Sequence, residues 1–107
     1  MLGKIEEIID NSVIIKLSIN INEQPNLVNL HVVFEDDTSK KVVAEIANVN
    51  QTKMIANVVG EINNGYFTPG ASSKPSFKSK VRLITMPELE LLFGKQETEF
   101  GYTNFGT

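Results

Sequence analysis

Apolar residues recur along this chain in short alternating runs, separated by clusters of Asn, Asp, Gly and Pro. That period belongs to β-strands with one covered face. Gly3 to Ile9 and Val13 to Leu17 are β-branched runs divided by Asp10-Asn11-Ser12, residue types that tolerate tight turns, and together they predict an opening hairpin. In the second run Val13, Ile15 and Leu17 share one parity, while Ser12, Ile14 and Lys16 share the other, which leaves Ile14 half covered. Ser18 to Leu27 is polar and contains Pro25, which has no amide hydrogen to give to a ladder, so a loop is predicted. Val28 to Glu35 resumes extended structure with Leu30, Val32 and Phe34 on one face. Glu35-Asp36-Asp37-Thr38-Ser39 then reverses the chain, and Lys41 to Val49 pairs back.

Met54 to Ile62 is a further strand whose internal Gly60 marks a bulge or bend, the means by which a sheet curls. Asn63-Asn64-Gly65 signals a tight hairpin turn, because Asn and Gly accept positive φ. Tyr66 and Phe67 follow it, ahead of a Pro-, Gly- and Ser-rich stretch from Thr68 to Ser76. Lys80 to Ile84 is the last strand. Thr85 as N-cap, Pro87 in the first turn and Glu88 at the positive end of the dipole predict a helix from Pro87 to Phe93, with Gly94 at its C-cap. The expected fold is mainly β: a small closed or partly closed six-stranded barrel with one short C-terminal helix, since closure removes edges that invite aggregation. Residues 1–94 form that barrel domain; residues 95–107, polar but carrying Phe100, Tyr102 and Phe105, read as a linker or tail.

A length of 107 residues suits one domain, and 41% hydrophobic with 21% charged residues places the chain with globular proteins. The absence of cysteine removes disulfides, thiol nucleophiles and thiolate metal sites together. The start Met1-Leu2-Gly3-Lys4-Ile5-Glu6-Glu7 carries acids where a signal peptide needs an apolar run, and no stretch approaches the roughly 20 apolar residues of a membrane span. A cytoplasmic location and no membrane partner are expected. A net charge of −3 argues against strong nucleic-acid binding by the chain alone. The local exception is the stretch Lys74, Lys78, Lys80 and Arg82, free of acids in sequence, which offers either phosphate contacts or a solvated loop and strand entry.

Chemistry-bearing patterns do not complete. Gly94-Lys95 is followed by Gln96 rather than Ser or Thr, with Leu89 where a phosphate loop needs glycine. His31 is the sole histidine and lies in a strand, which leaves no His-based metal site or second-His relay; it suits the outer or rim face better than a dyad with a carboxylate. Asp36-Asp37 lacks the ligand spacing of a calcium loop and suits a turn. Glu6, Glu7 and Asp10 suit a solvated hairpin edge better than acid–base work. No catalytic, cofactor-binding or metal-binding residue is therefore assigned, and the chain is not expected to be an enzyme. In Tyr66-Phe67-Thr68-Pro69-Gly70, by contrast, two aromatics beside a turn form either an apolar projection for a protein partner or a plug for the barrel mouth. Tyr66, Phe67 and Pro69 are the candidate partner interface, with Phe67 expected inward and Tyr66 at the rim.

Three segments taken in order resemble a known pattern: Leu2-Gly3-Lys4-Ile5-Glu6-Glu7-Ile8-Ile9, then Val59-Gly60-Glu61-Ile62-Asn63-Asn64-Gly65-Tyr66-Phe67, then Val81-Arg82-Leu83-Ile84-Thr85-Met86-Pro87-Glu88-Leu89. They are similar to the N-terminal barrel of HerA-type ATPases, a module shared with ATP synthase catalytic subunits, and the likeness spans residues 1–94. In that family the barrel precedes a RecA-like motor that forms a hexameric ring, translocates on double-stranded DNA and works with a nuclease or other effector. The resemblance implies self-association into a ring and effector docking here. ATP and magnesium would be held only in the motor, and DNA would be met through the full assembly. The chain stops before any Walker motif, as either an excised N-terminal domain or a stand-alone relative, and the aromatic tail favours excision. A nucleic-acid-binding small barrel is the alternative function.

Overall fold

In the computed structural model, residues 2–18, 30–70 and 74–93 are described. The alternating runs become seven strands: β1 (Gly3–Ile9), β2 (Ser12–Leu17), β3 (His31–Glu35), β4 (Lys41–Val49), β5 (Lys53–Asn63), β6 (Tyr66–Pro69) and β7 (Lys80–Leu83). One helix, α1 (Met86–Leu92), follows. The strands are hydrogen-bonded in the order β1-β2-β5-β4-β3-β7, every neighbouring pair antiparallel. At the two ends of that order the Leu2 amide donates to the Val81 carbonyl at 2.9 Å, drawing β1 against β7. The result is a six-stranded, partly closed barrel.

The curl has local causes. Register shifts fall between Ile5 and Glu7 against β2, and at Val43/Ala44 and Ile46/Asn48 in the β4–β5 ladder. Glu6 on β1, Val59 on β5 and Ala47 on β4 are the extra residues, and each such bulge bends its strand and raises the twist. Val59 stands beside Gly60, where the sequence predicts a bend.

Alternation then decides what is buried. Val13 and Ile15 of β2, Val32 and Phe34 of β3, Ala44 and Ile46 of β4, and Met54 and Ala56 of β5 fill the interior with Val81 of β7. Phe34, Ile15, Ile46 and Met54 are the largest side chains with essentially no exposed surface, each worth about 2 kcal/mol of burial. Ile14, on the opposite parity, is half-buried.

A second cluster lies outside the barrel wall. Val33, Val43 and Ile62 are buried there, packed with Val59, Phe67, Ile84, Leu91 and Leu92. Strands β3 and β4 are thus covered on both faces, which explains the uninterrupted runs Val32-Val33-Phe34 and Val42-Val43-Ala44. The cover consists of α1 and the β5–β6 hairpin.

The hairpin adds β6 as a short seventh strand off the six-stranded path, running into the Pro-, Gly- and Ser-rich stretch that begins at Thr68. Its turn does follow expectation. Asn63 pairs with Tyr66 across Asn64 (φ 54°) and Gly65 (φ 82°), the two positive dihedrals that match a two-residue loop to strand twist. Since β4 occupies one edge of β5, the other edge is shared: β2 pairs with Lys53 to Asn57 and β6 with Gly60 to Asn63. Phe67 and Pro69 alternate with the residues bonded to β5, so the outer edge of β6 carries Pro69, which offers no amide hydrogen and blunts it against further pairing.

Strand β3 begins at His31, three residues after the predicted start, and α1 begins at Met86, one residue before Pro87. Helix α1 ends at Leu92 with Phe93 as its C-cap, one residue before the predicted Gly94. The predicted loop from Ser18 falls, beyond Ser18 itself, outside the described residues, as do the rest of the Val28 run before Leu30, Gly94 and the tail 95–107.

Candidate docking surfaces

Helix α1 is fixed to the barrel by a carboxylate. Thr85 is its N-cap and Glu88 its third residue; the Glu88 amide donates to Thr85 Oγ1 at 3.4 Å, and the Thr85 amide donates to Glu88 Oε1 at 3.0 Å. This reciprocal capping box satisfies donors that the helix start would otherwise leave open. The same carboxylate also accepts from Arg82 Nη1 at 2.9 Å and Nη2 at 2.8 Å, and from Lys41 Nζ at 3.3 Å. Arg82 spends its remaining edge on Glu35, with Nε 2.8 Å from Oε1. Two-pronged guanidinium–carboxylate contacts of this kind are strong and directional. Hydrogen bonding from Arg82 holds the Glu88 carboxyl down to about 2 against an ordinary 4.5, and lowers Glu35 as well. The guanidinium is correspondingly harder to deprotonate.

This arrangement settles where the four predicted phosphate-contact residues stand. Arg82 faces two carboxylates. Lys74 donates through Nζ to the Asp10 carbonyl. Lys78 and Lys80 line a surface pocket with Glu35, Asp36 and Asp37. Lys78, Lys80 and Arg82 thus share the surroundings of Glu35 while Lys74 is held at Asp10, and the β3–β4 turn brings acids among them that the local sequence lacks. Asp36 itself accepts from the Thr38 amide at 2.8 Å and the Thr38 hydroxyl at 2.7 Å, which shapes the turn and keeps its carboxyl below the usual range.

The predicted partner residues divide by burial. Tyr66 is 76% exposed at the hairpin tip, and Pro69 is exposed on the edge strand. Contrary to expectation, Phe67 does not enter the barrel: it packs, half-buried, on the outer cluster against the outside of the wall. Its ring lies over Gly60, where an added Cβ would stand 2.6 Å from Phe67 Cζ and 2.4 Å from the Thr68 carbonyl oxygen. Glycine at this position therefore seats the aromatic ring that locks the hairpin to the wall.

A groove that sequence reasoning missed runs between α1 and the barrel rim. Leu30 and His31 at the start of β3, Leu83 and Ile84 at the end of β7, and Thr85, Met86, Leu89 and Phe93 of the α1 segment line about 280 Å³. Met86 is 66% exposed, Phe93 47% and Leu30 42%. The signal was available: Met86, Leu89 and Phe93 recur at helical spacing on a face distinct from Leu91 and Leu92, which pack on the outer cluster. His31 and Thr85 are the polar residues of this mainly apolar surface. Burial lowers the His31 pKa below 6.5, Glu45 across the ladder partly opposing, so the imidazole is neutral near pH 7.

Among the described residues no three of His, Asp and Glu gather as metal ligands would, and no helix is long and apolar enough to cross a membrane. Compared with known proteins, the chain matches no family model and no curated protein sequence.

Proposed function

We propose that the chain is the non-catalytic N-terminal barrel of a HerA-like ATPase and DNA translocase in the cytoplasm, serving ring assembly and the docking of a nuclease or other effector. The observation that carries this reading is the groove beside α1, whose exposed Met86, Leu30 and Phe93 make an apolar surface on a rigidly pinned helix. Exposed apolar patches of this kind mark sites of protein contact, and a helix clamped by a capping box and Arg82 presents them with little ordering cost. The segments that carry the family resemblance support the same reading. The stretch Val59 to Phe67 and the stretch Val81 to Leu89 meet in the outer cluster that holds α1, so the likeness falls on the docking platform. Tyr66 and Pro69 at the hairpin tip extend the surface available to a partner. ATP and magnesium belong, in this reading, to a motor domain that follows the barrel.

The test is light scattering of this chain and of the protein extended through the downstream sequence. A ring is expected from the extended protein. The pair Met86→Ser and Phe93→Ser, both at exposed positions, is expected to keep the melting temperature within a few degrees, as surface substitutions do, while weakening assembly or effector capture at least tenfold. Unaltered assembly and capture by that variant would remove the groove from the reading.

A further inference from the structure

Along α1, Met86, Leu89 and Phe93 form one stripe, about 10 Å long at ordinary helix rise, that lines the groove against Leu30 and Leu83 of the barrel rim. Taken alone, a groove of that length falls well short of the roughly 800 Å² per partner that a stable contact between separate proteins buries. A tethered segment needs no such area, because a short connection supplies an effective concentration in the millimolar range. The chain itself provides a tether. It leaves α1 through the C-cap Phe93, which also lines the groove, and Lys95 to Glu99 beyond it are all polar. Two of the six Phe and one of the two Tyr in the chain then fall between positions 100 and 105. Aromatic residues are what a purely solvated tail lacks.

We propose that the chain's own segment Phe100-Gly101-Tyr102 seats in this groove and covers it until a partner displaces it. The reach suffices. From Phe93 to Phe100 the chain can extend about 23 Å, more than twice the length of the stripe, so the segment doubles back over α1 without strain. Extended, Phe100 and Tyr102 would face the same side about 7 Å apart, which fits within the stripe, whereas Phe105, about 17 Å from Phe100, would fall beyond it. The groove's most exposed side chain, Met86 at 66%, is a thioether, which packs favourably against aromatic rings. The consequence rests on the docking reading above: an effector would meet a groove already filled, and its apparent affinity would fall by the fraction of molecules whose groove is covered. The seating itself holds whether or not the domain assembles through its groove.

NMR of the full chain, labelled at the methionine methyl groups, tests it. The Met86 methyl is expected to show nuclear Overhauser contacts to the Phe100 and Tyr102 rings, unchanged from about 20 μM to about 1 mM protein because the contact is intramolecular. Phe100→Ser with Tyr102→Ser is expected to remove those contacts and shift the Met86 methyl, while the methyl of Met54, buried in the barrel, stays in place and reports an intact fold. The same double variant is expected to raise the fluorescence of 1-anilinonaphthalene-8-sulfonate, a dye that binds exposed apolar surface, about twofold or more. The control Phe105→Ser leaves the Met86 signal and the dye unchanged. Identical Met86 signals in the parent and the double variant would overturn the proposal, as would contacts that appear only at high protein concentration, which make the occupant a second copy. The docking reading fails separately, through unaltered assembly and capture by the Met86→Ser and Phe93→Ser variant.

Discussion

Gly60 shows how a single residue decides the packing of a layer. Any side chain there meets the Phe67 ring and a backbone oxygen at well under contact distance, and overpacking of this kind costs about 1–3 kcal/mol. Gly60→Ala is expected to lower the melting temperature by roughly 10 °C, with Phe67 fluorescence or ring-current shifts reporting a displaced aromatic. The bend there was legible, since an isolated glycine in a strand marks a bulge or bend, but the ring seated on it was not. Nor was Arg82. Its own neighbourhood in sequence is basic, and the two acids that claim it come from positions 35 and 88, joined to it by the β3–β7 ladder and the helix cap.

Among the elements, α1 was the easiest to foresee because Thr85, Pro87 and Glu88 lie within four residues and need no distant partner. Its attachment to the barrel depends on Glu88, and the pH response follows from that. The folded carboxyl titrates near 2 and an unfolded one near 4.5, so the stabilisation is complete above about 4.5 and is lost as pH falls towards 2. Glu88→Gln is expected to cost about 2 kcal/mol near neutral pH, and thermal melts of parent and variant should converge as the pH drops through that window. Strand β6 escaped notice because Thr68-Pro69-Gly70 reads as a breaker; at a sheet edge Pro is tolerated, its missing donor facing outward. The outer cluster escaped for a subtler reason. Val33 and Val43 break the alternation, and continuous runs identify strands covered twice, but the sequence does not say by what.

For the whole molecule, the mainly β, partly closed barrel was foreseen, and what it rests on is uneven. The β4–β5 ladder sits mid-sheet with a buried face along its length, whereas β1 and β7 meet through the Leu2 amide. Local opening begins where few buried bonds resist it. Hydrogen exchange is expected to protect longest the amides that donate across the β4–β5 ladder and to release Leu2 and its neighbours at the seam much earlier, by two orders of magnitude or more. Uniform protection around the sheet would mean that the barrel closes as tightly at this seam as elsewhere.

Strand β5 runs for 11 residues from Lys53 to Asn63, bent at the Val59 bulge, with a contour of about 30 Å at ordinary strand rise. One end pairs with β2 and the other with β6, whose tip displays Tyr66. Two ligands held at those ends have room to sit side by side without collision, so the barrel would work as a spacer that sets their separation. Joined in this way, each would raise the local concentration of the other, and two contacts that are weak alone would add to one firmer hold.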